Sequence, residues 1–475
     1  MTDPRPFLVG GEWRASETTL DVRSPYDDSL VGTVCLAGAT DIEDAVRFAQ
    51  HGFGRARRLP THERIRVLRR LAGLIDIWKD EIAETITREA GKTAALARAE
   101  VERAVETVLL SAEEAGRIYG EVIPLDLTPA AAGRTGYLRR VPLGTVLAIT
   151  PFNFPFNLAC HKIGPAVAAG NAVILRPSSK TPLSGLILGE LLVEAGYPEE
   201  AVSVLPCTTD IAEWMVRDGR IAYLSFTGSP AVGWHLREIS GRKRVGLELG
   251  GNAAVIVDAD ADLPYAAERI VQGGFSGAGQ VCISVQRVLL HRSVYAQCLE
   301  MILERTGALR IGDPRDQTVD VGPMISEEAA AAAEEKVREA VSGGATVLAG
   351  GKRAGTLFAP TILTDTLPTM RVNATEMFAP VITITPFDDF AAALALANDS
   401  PFGLQTGIFT NRLERAFHAF DECEAGTLVV NDVPTFRTDA MPYGGVKASG
   451  LGREGPRYAI EGMTEPRLMV LNRRG

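Results

Sequence analysis

From Gly144 onward the chain alternates short runs of β-branched and apolar residues with stretches of helical periodicity. Such runs occupy residues 146–149, 172–175, 202–205, 223–226 and 253–257. Strands separated by helix-length segments pair in parallel, because only a crossover returns the chain to the same edge of the sheet. A second alternating region extends from about Glu248 to Asn431 and predicts another α/β unit.

Residues 61–118 read differently. Val67, Leu68, Leu71, Leu74, Ile75 and Trp78 recur three and four apart in a segment rich in Ala, Leu, Glu and Arg, which predicts amphipathic helices. The Ala-rich run 329–333 reads as ordinary helix. At 475 residues the chain exceeds what one core fills, so two or three domains are expected. No apolar run approaches the roughly 20 residues of a membrane helix, and the start carries no secretory pattern, so a cytoplasmic protein is expected. The 59 acidic and 49 basic residues leave a net charge of −10 with no basic footprint, which argues against a nucleic-acid partner. Six cysteines (35, 160, 207, 282, 298, 423) lie far apart without a C-x-x-C pair, so no metal centre or dithiol is expected.

One crossover can be followed residue by residue. Thr181 suits an N-cap, Pro182 the first helical position, and Leu183, Leu186, Ile187, Leu191 and Leu192 one apolar face that Gly196 closes. Arg176-Pro177-Ser178-Ser179-Lys180 therefore falls at the carboxyl end of a strand, where open α/β sheets bind ligands. Phe226-Thr227-Gly228-Ser229-Pro230-Ala231-Val232-Gly233 leads a strand through a Gly-x4-Gly turn into a helix. Its free N–H groups and helix dipole suit a phosphate, and equally it is a glycine-punctuated turn.

Three residues suggest chemistry. Cys282, approached by the small residues of Gly279-Gln280-Val281, is a candidate nucleophile, although a lone cysteine is more often an apolar filler. Glu248, in Leu247-Glu248-Leu249-Gly250-Gly251, is an acid whose apolar setting raises its proton affinity toward that of a general base; a salt-bridged strand end is the plain alternative. Asn153, between Phe152 and Phe154 and bracketed by Pro151 and Pro155, offers a rigid amide to a developing oxyanion or simply forms a turn.

Taken in order, Pro151-Phe152-Asn153-Phe154-Pro155, Phe226-Thr227-Gly228-Ser229, Leu247 to Gly251, Gly279 to Cys282, and Glu376-Met377-Phe378-Ala379-Pro380-Val381 resemble the successive signatures of the aldehyde dehydrogenase superfamily. The match runs from Phe7-Leu8-Val9-Gly10-Gly11-Glu12-Trp13 to Pro442-Tyr443-Gly444-Gly445-Val446-Lys447. The resemblance implies an α/β fold with a Rossmann-like dinucleotide-binding domain (1–120 and 138–247), an α/β catalytic domain (248–445), and a small β oligomerisation arm with the C-terminal segment (121–137 and 446–475). It implies NAD or NADP as cofactor and a homodimer or homotetramer. Cys282 would attack the aldehyde, Asn153 and the Cys282 backbone N–H would hold the oxyanion, and Glu248 would activate water to hydrolyse the thioester. Lys162 matches a lysine near this acid and asparagine.

The same resemblance assigns the cofactor to Thr150, Pro151, Phe152, Arg176, Ser178, Ser179, Phe226, Thr227, Gly228, Ser229, Gly233, Leu249, Gly250, Glu376 and Phe378. Strictly NAD-specific relatives usually carry Glu at the position of Ser179; Ser179 beside Arg176 and Lys180 tolerates a 2′-phosphate, so NADP is permitted. Arg103 and Arg437 resemble the branch containing lactaldehyde, phosphonoacetaldehyde and non-phosphorylating glyceraldehyde-3-phosphate dehydrogenases, and with Phe154 and Val281 they are the candidate substrate residues. Two arginines near the entrance suit a small polar or anionic aldehyde; an ion pair of Arg103 with Glu100 or Glu106, and an apolar aldehyde, are the alternatives. A CoA-acylating enzyme commonly lacks the acid at Glu248, and a non-catalytic scaffold would have lost nucleophile, base or amide.

Overall fold

The computed structural model describes residues 3–473. Its larger sheet has eight strands, with the neighbour order Glu12–Arg14, Phe7–Val9, Val202–Val204, Ala172–Arg176, Thr145–Ile149, Ile221–Thr227, Arg244–Glu248 and Gly450–Leu451. The five central strands are parallel, as the alternation predicts. Antiparallel strands close both edges: Leu8 pairs with Val204, and Glu248 with Gly450.

In sequence the strand at Thr145–Ile149 comes first, its next two strands lie on one side, and the strand at Ile221–Thr227 lies on the other. The order thus reverses between Thr145–Ile149 and Ile221–Thr227, where loops from the carboxyl ends splay apart and leave a crevice. Thr150, Arg176, Thr227 and Glu248 all sit at or just beyond those ends.

A second sheet orders Thr346–Ala349, Thr361–Thr364, Val381–Phe387, Val285–His291, Ala253–Val257, Gln405–Phe409 and Thr427–Val430; all but its first pair are parallel. A three-stranded antiparallel sheet joins Thr464–Asn472, Arg134–Pro142 and Glu121–Pro124. Each large sheet packs its own helices into a separate hydrophobic core.

The helices expected over 61–118 are Thr61–Ile77, Lys79–Ala90 and Ala94–Ala115. The last packs against Asn157–Ala169, a helix buried throughout that follows the Pro151–Pro155 loop. The crossover helix spans Pro182–Glu194 with Thr181 at its N-cap, but the Thr181 side chain makes no capping bond. Glu89, from the distant helix Lys79–Ala90, accepts from the Leu183 and Ser184 N–H groups at 2.9 and 3.1 Å instead. A buried helix start takes whichever acceptor tertiary packing delivers, and a carboxylate outcompetes a hydroxyl. Among the described residues no helix is long and apolar enough to cross a membrane, and no group of three or more His, Cys, Asp or Glu is arranged to hold a metal ion.

Candidate active site

At the strand-order reversal, a cavity of about 440 Å3 runs between the two sheets. Cys282, Glu248 and Asn153 line it together. So do Thr150, Pro151, Phe152, Arg176, Ser178, Phe226, Thr227, Gly228, Ser229, Leu249, Gly250, Glu376 and Phe378 from the cofactor set, and Arg103, Phe154, Val281 and Arg437 from the substrate set. Three expected residues lie outside the lining. Lys162 is buried beneath the strands. Gly233 is in the first turns of Pro230–Ile239, packed against Leu249. Ser179 is exposed beyond the strand end beside Lys180.

Cys282 sits on the short loop before Val285–His291. It keeps partial exposure toward the cavity, yet burial of its sulfur pushes the thiol up to about 12, against the hydrogen bond with Tyr443 and the charge of Arg437. Tyr443 Oη lies 2.7 Å from Cys282 Sγ. The Asn153 side-chain N–H donates to the Gln280 carbonyl at 2.9 Å, tying the Pro151–Pro155 loop to the nucleophile's loop. Since an amide carries two N–H donors, one bond fixes the group and leaves the second free to serve another acceptor.

Glu248 ends its strand buried, and its Oε2 has no hydrogen-bond partner among the described residues. Burial, then the neighbouring charge of Glu454, raise its proton affinity well above that of an ordinary carboxylate. The resemblance led to Lys162 near this acid, and its charge does act on Glu248; its direct partners are Glu454 at 3.0 Å, Thr227 Oγ1 at 2.7 Å and Ser225 Oγ at 3.2 Å. Arg437 binds the other oxygen of Glu454 at 3.1 Å. Against the upward push of burial, these two cations hold Glu454 below the usual carboxylate range. The two buried acids are thus driven apart, one basic and the other permanently charged.

The arginines also differ from expectation. Arg437 is not an entrance charge: its side chain is 9% exposed, and its guanidinium lies 3.7 Å from the centre of the Tyr443 ring. Arg103 pairs with neither Glu100 nor Glu106. It holds Asp439 through two bonds of 3.1 and 2.7 Å, while Glu100 is taken by the Phe156 and Asn157 N–H groups and by Lys92. Asp439 also meets His161 Nε2 at 2.8 Å and Asn157 Nδ2 at 3.2 Å. Tyr443 and Glu454 line the cavity, and Asp439 and His161 bond to its arginines from behind; the sequence reading singled out none of the four.

On the cofactor side, Ser229 is the N-cap of Pro230–Ile239, so this helix start opens on the cavity. The Thr150 hydroxyl and Arg176 Nε are buried without a partner among the described residues. Glu376 Oε1 accepts from Gly251 N–H at 3.1 Å, and burial raises its carboxyl to about 7. A Cβ at Gly250 would stand 2.1 Å from Glu376 Oε2, so a side chain there would displace the Glu376 carboxylate from its present position. Unsatisfied donors, an anion-favouring helix start and a buried acceptor fit a dinucleotide.

Residues 13–469 match the model of the aldehyde dehydrogenase family, and the chain belongs to that family. It is 44% identical over 467 residues to a 3-sulfolactaldehyde dehydrogenase of Priestia aryabhattai, covering 98% of each chain. Among solved structures, aldehyde dehydrogenase 21 of Physcomitrella patens, in complex with the reaction product succinate, superposes with a TM-score of 0.96 at 38% identity over 99% of both chains. A glyceraldehyde-3-phosphate dehydrogenase of Methanocaldococcus jannaschii complexed with NADP gives 0.92 at 37% identity, covering 97% of this chain and 100% of that one. The chain is an NAD(P)-dependent oxidoreductase acting on aldehydes.

Proposed function

We propose that this enzyme oxidises a small polar or anionic aldehyde to its carboxylate through Cys282, Asn153 and Glu248. The observation that carries this reading is their convergence on one cavity whose wall also presents Arg103 and Arg437. The Cys282 thiol gives up its proton to water in the cavity and Sγ bonds to the aldehyde carbon, placing negative charge on the former carbonyl oxygen. The Asn153 amide and the Cys282 backbone N–H are the donors for that charge. Thr150, Arg176, the Gly228–Ser229 turn and Glu376 would hold NAD(P), which when bound would accept the aldehyde hydrogen with its electron pair and so leave a thioester on Cys282. Glu248 then takes a proton from water, whose oxygen adds to the thioester carbon; the C–S bond breaks and the Cys282 thiol is restored.

Anionic substrate chemistry is supported by the two guanidinium groups and by the sulfonated aldehyde in the Priestia relative's name. The division between a dinucleotide-binding and a catalytic domain is supported by the separate cores, although Gly450–Leu451, Ile460 and Met463, set apart with the C-terminal segment, belong with the first sheet and its core; a homo-oligomer is supported by Val122, Tyr137, Leu468, Met469 and Val470 standing exposed on the three-stranded sheet. The test is turnover of anionic against neutral aliphatic and aromatic aldehydes, each with NAD and with NADP. Preference for the anionic set is expected; preference for neutral aldehydes would return both arginines to a structural role.

A further inference from the structure

The Pro442–Lys447 motif brings a hydroxyl onto the nucleophile. Tyr443 is 2% exposed, and the only side chain with which its hydroxyl is within hydrogen-bond distance, among the described residues, is Cys282. Its backbone is clamped from both sides: Tyr443 N–H donates to the Glu454 carbonyl at 3.1 Å, and Glu454 N–H to the Tyr443 carbonyl at 2.6 Å. The carboxylate of the same Glu454 holds Arg437, whose guanidinium lies over the Tyr443 ring. The phenol is therefore fixed in place and aimed at the sulfur.

We propose that Tyr443 is a catalytic residue whose O–H donates to the Cys282 sulfur and favours its thiolate over its thiol. This rests on the reading of Cys282 as nucleophile. A thiolate out of water needs a donor, because desolvation otherwise favours the neutral thiol. A cation over the ring face draws electron density from the phenol and strengthens its O–H as donor. The charged groups facing the sulfur are Arg437, which favours thiolate, and Glu376 and Glu248, which oppose it; those facing Tyr443 are Arg437 and Glu248. Burial pushes the phenol's own ionisation well up, so it keeps its proton across the working range.

The test is the rate of iodoacetamide alkylation of Cys282 against pH, in the full-length wild type and in Tyr443→Phe, with labelling located by mass spectrometry. A hydrogen bond to a charged group corresponds to about one to two pH units, so the midpoint should rise by that much, and alkylation below it should slow about 10- to 100-fold. An unchanged or lowered midpoint overturns the proposal, since it would make the thiol the donor and the phenol the acceptor. Should Tyr443→Phe fail to fold, 3-fluorotyrosine at this position keeps the shape and sharpens the donor; the midpoint should then fall, and no movement overturns the proposal. Cys282→Ser separates the two claims. Turnover surviving in that variant removes the nucleophile reading, whereas Cys282 labelling with loss of turnover and a midpoint unmoved by Tyr443→Phe removes only the role of Tyr443.

Discussion

Glu454→Gln removes the negative charge that faces two buried cations. Glu454 is 6% exposed and lies 3.0 Å from Lys162 Nζ and 3.1 Å from an Arg437 nitrogen. At an effective dielectric of about 20, each contact is a gross attraction of about 5 kcal/mol, most of it offset by desolvation of the ions. The net worth of the pairing is therefore modest, but breaking it from one side strands Lys162, at 1% exposure, without a counter-ion. That loss should be about 3 to 5 kcal/mol. Urea midpoints of the wild type, Glu454→Gln, Lys162→Met and the double variant close a cycle, and the double variant should lose clearly less than the sum of the singles. Additive losses, or a stable Glu454→Gln, would refute the pairing of these residues. The pH dependence has a definite sign. A depressed carboxyl stabilises the fold above its unfolded value of about 4.3 and loses that contribution as pH falls toward its folded value. The same substitution removes a negative charge that raises Glu248; the acid limb of thioester hydrolysis should move to lower pH, and a limb moving upward would contradict the assignment.

Two further outcomes follow from single contacts. Glu89→Ala leaves the Leu183 and Ser184 N–H groups without their acceptor and should lower stability by about 2 kcal/mol, whereas Thr181→Val should change it little; urea melts in which Thr181→Val is the more damaging would restore the local cap. Ser179→Glu places a carboxylate beside Arg176 and Lys180 and should raise the KM for NADP at least about tenfold while sparing NAD; an equal effect on both coenzymes would take Ser179 away from the 2′-position.

The parallel strands were legible because alternation in composition is local, and the motifs flanking Asn153, Glu248 and Cys282 because glycine and proline fix loop shape at short range. The strand Phe7–Val9 was not: three residues carry no period, and its pairing through Leu8 and Val204 is set 196 positions away. Glu454, Asp439 and His161 read as ordinary polar residues because what makes them part of the site is burial against one another, across Asn157–Ala169 and the chain after Val433. Arg437 was placed near the entrance, and its burial was missed, for the same reason. Its neighbours Tyr443 and Glu454 follow it closely in sequence, yet only the fold turns them inward. Glu89 shows the converse, a helix start whose local cap was plain and whose actual acceptor comes from another helix.

In the proposed function Cys282 carries the substrate as a thioester that Glu248 then releases. Glu248→Gln, mixed with aldehyde and NAD(P), should form about one equivalent of NAD(P)H per active site and stop, and digestion should find the acyl mass on the Cys282 peptide. Undiminished steady-state hydrolysis, or an acyl group on any other residue, would contradict it.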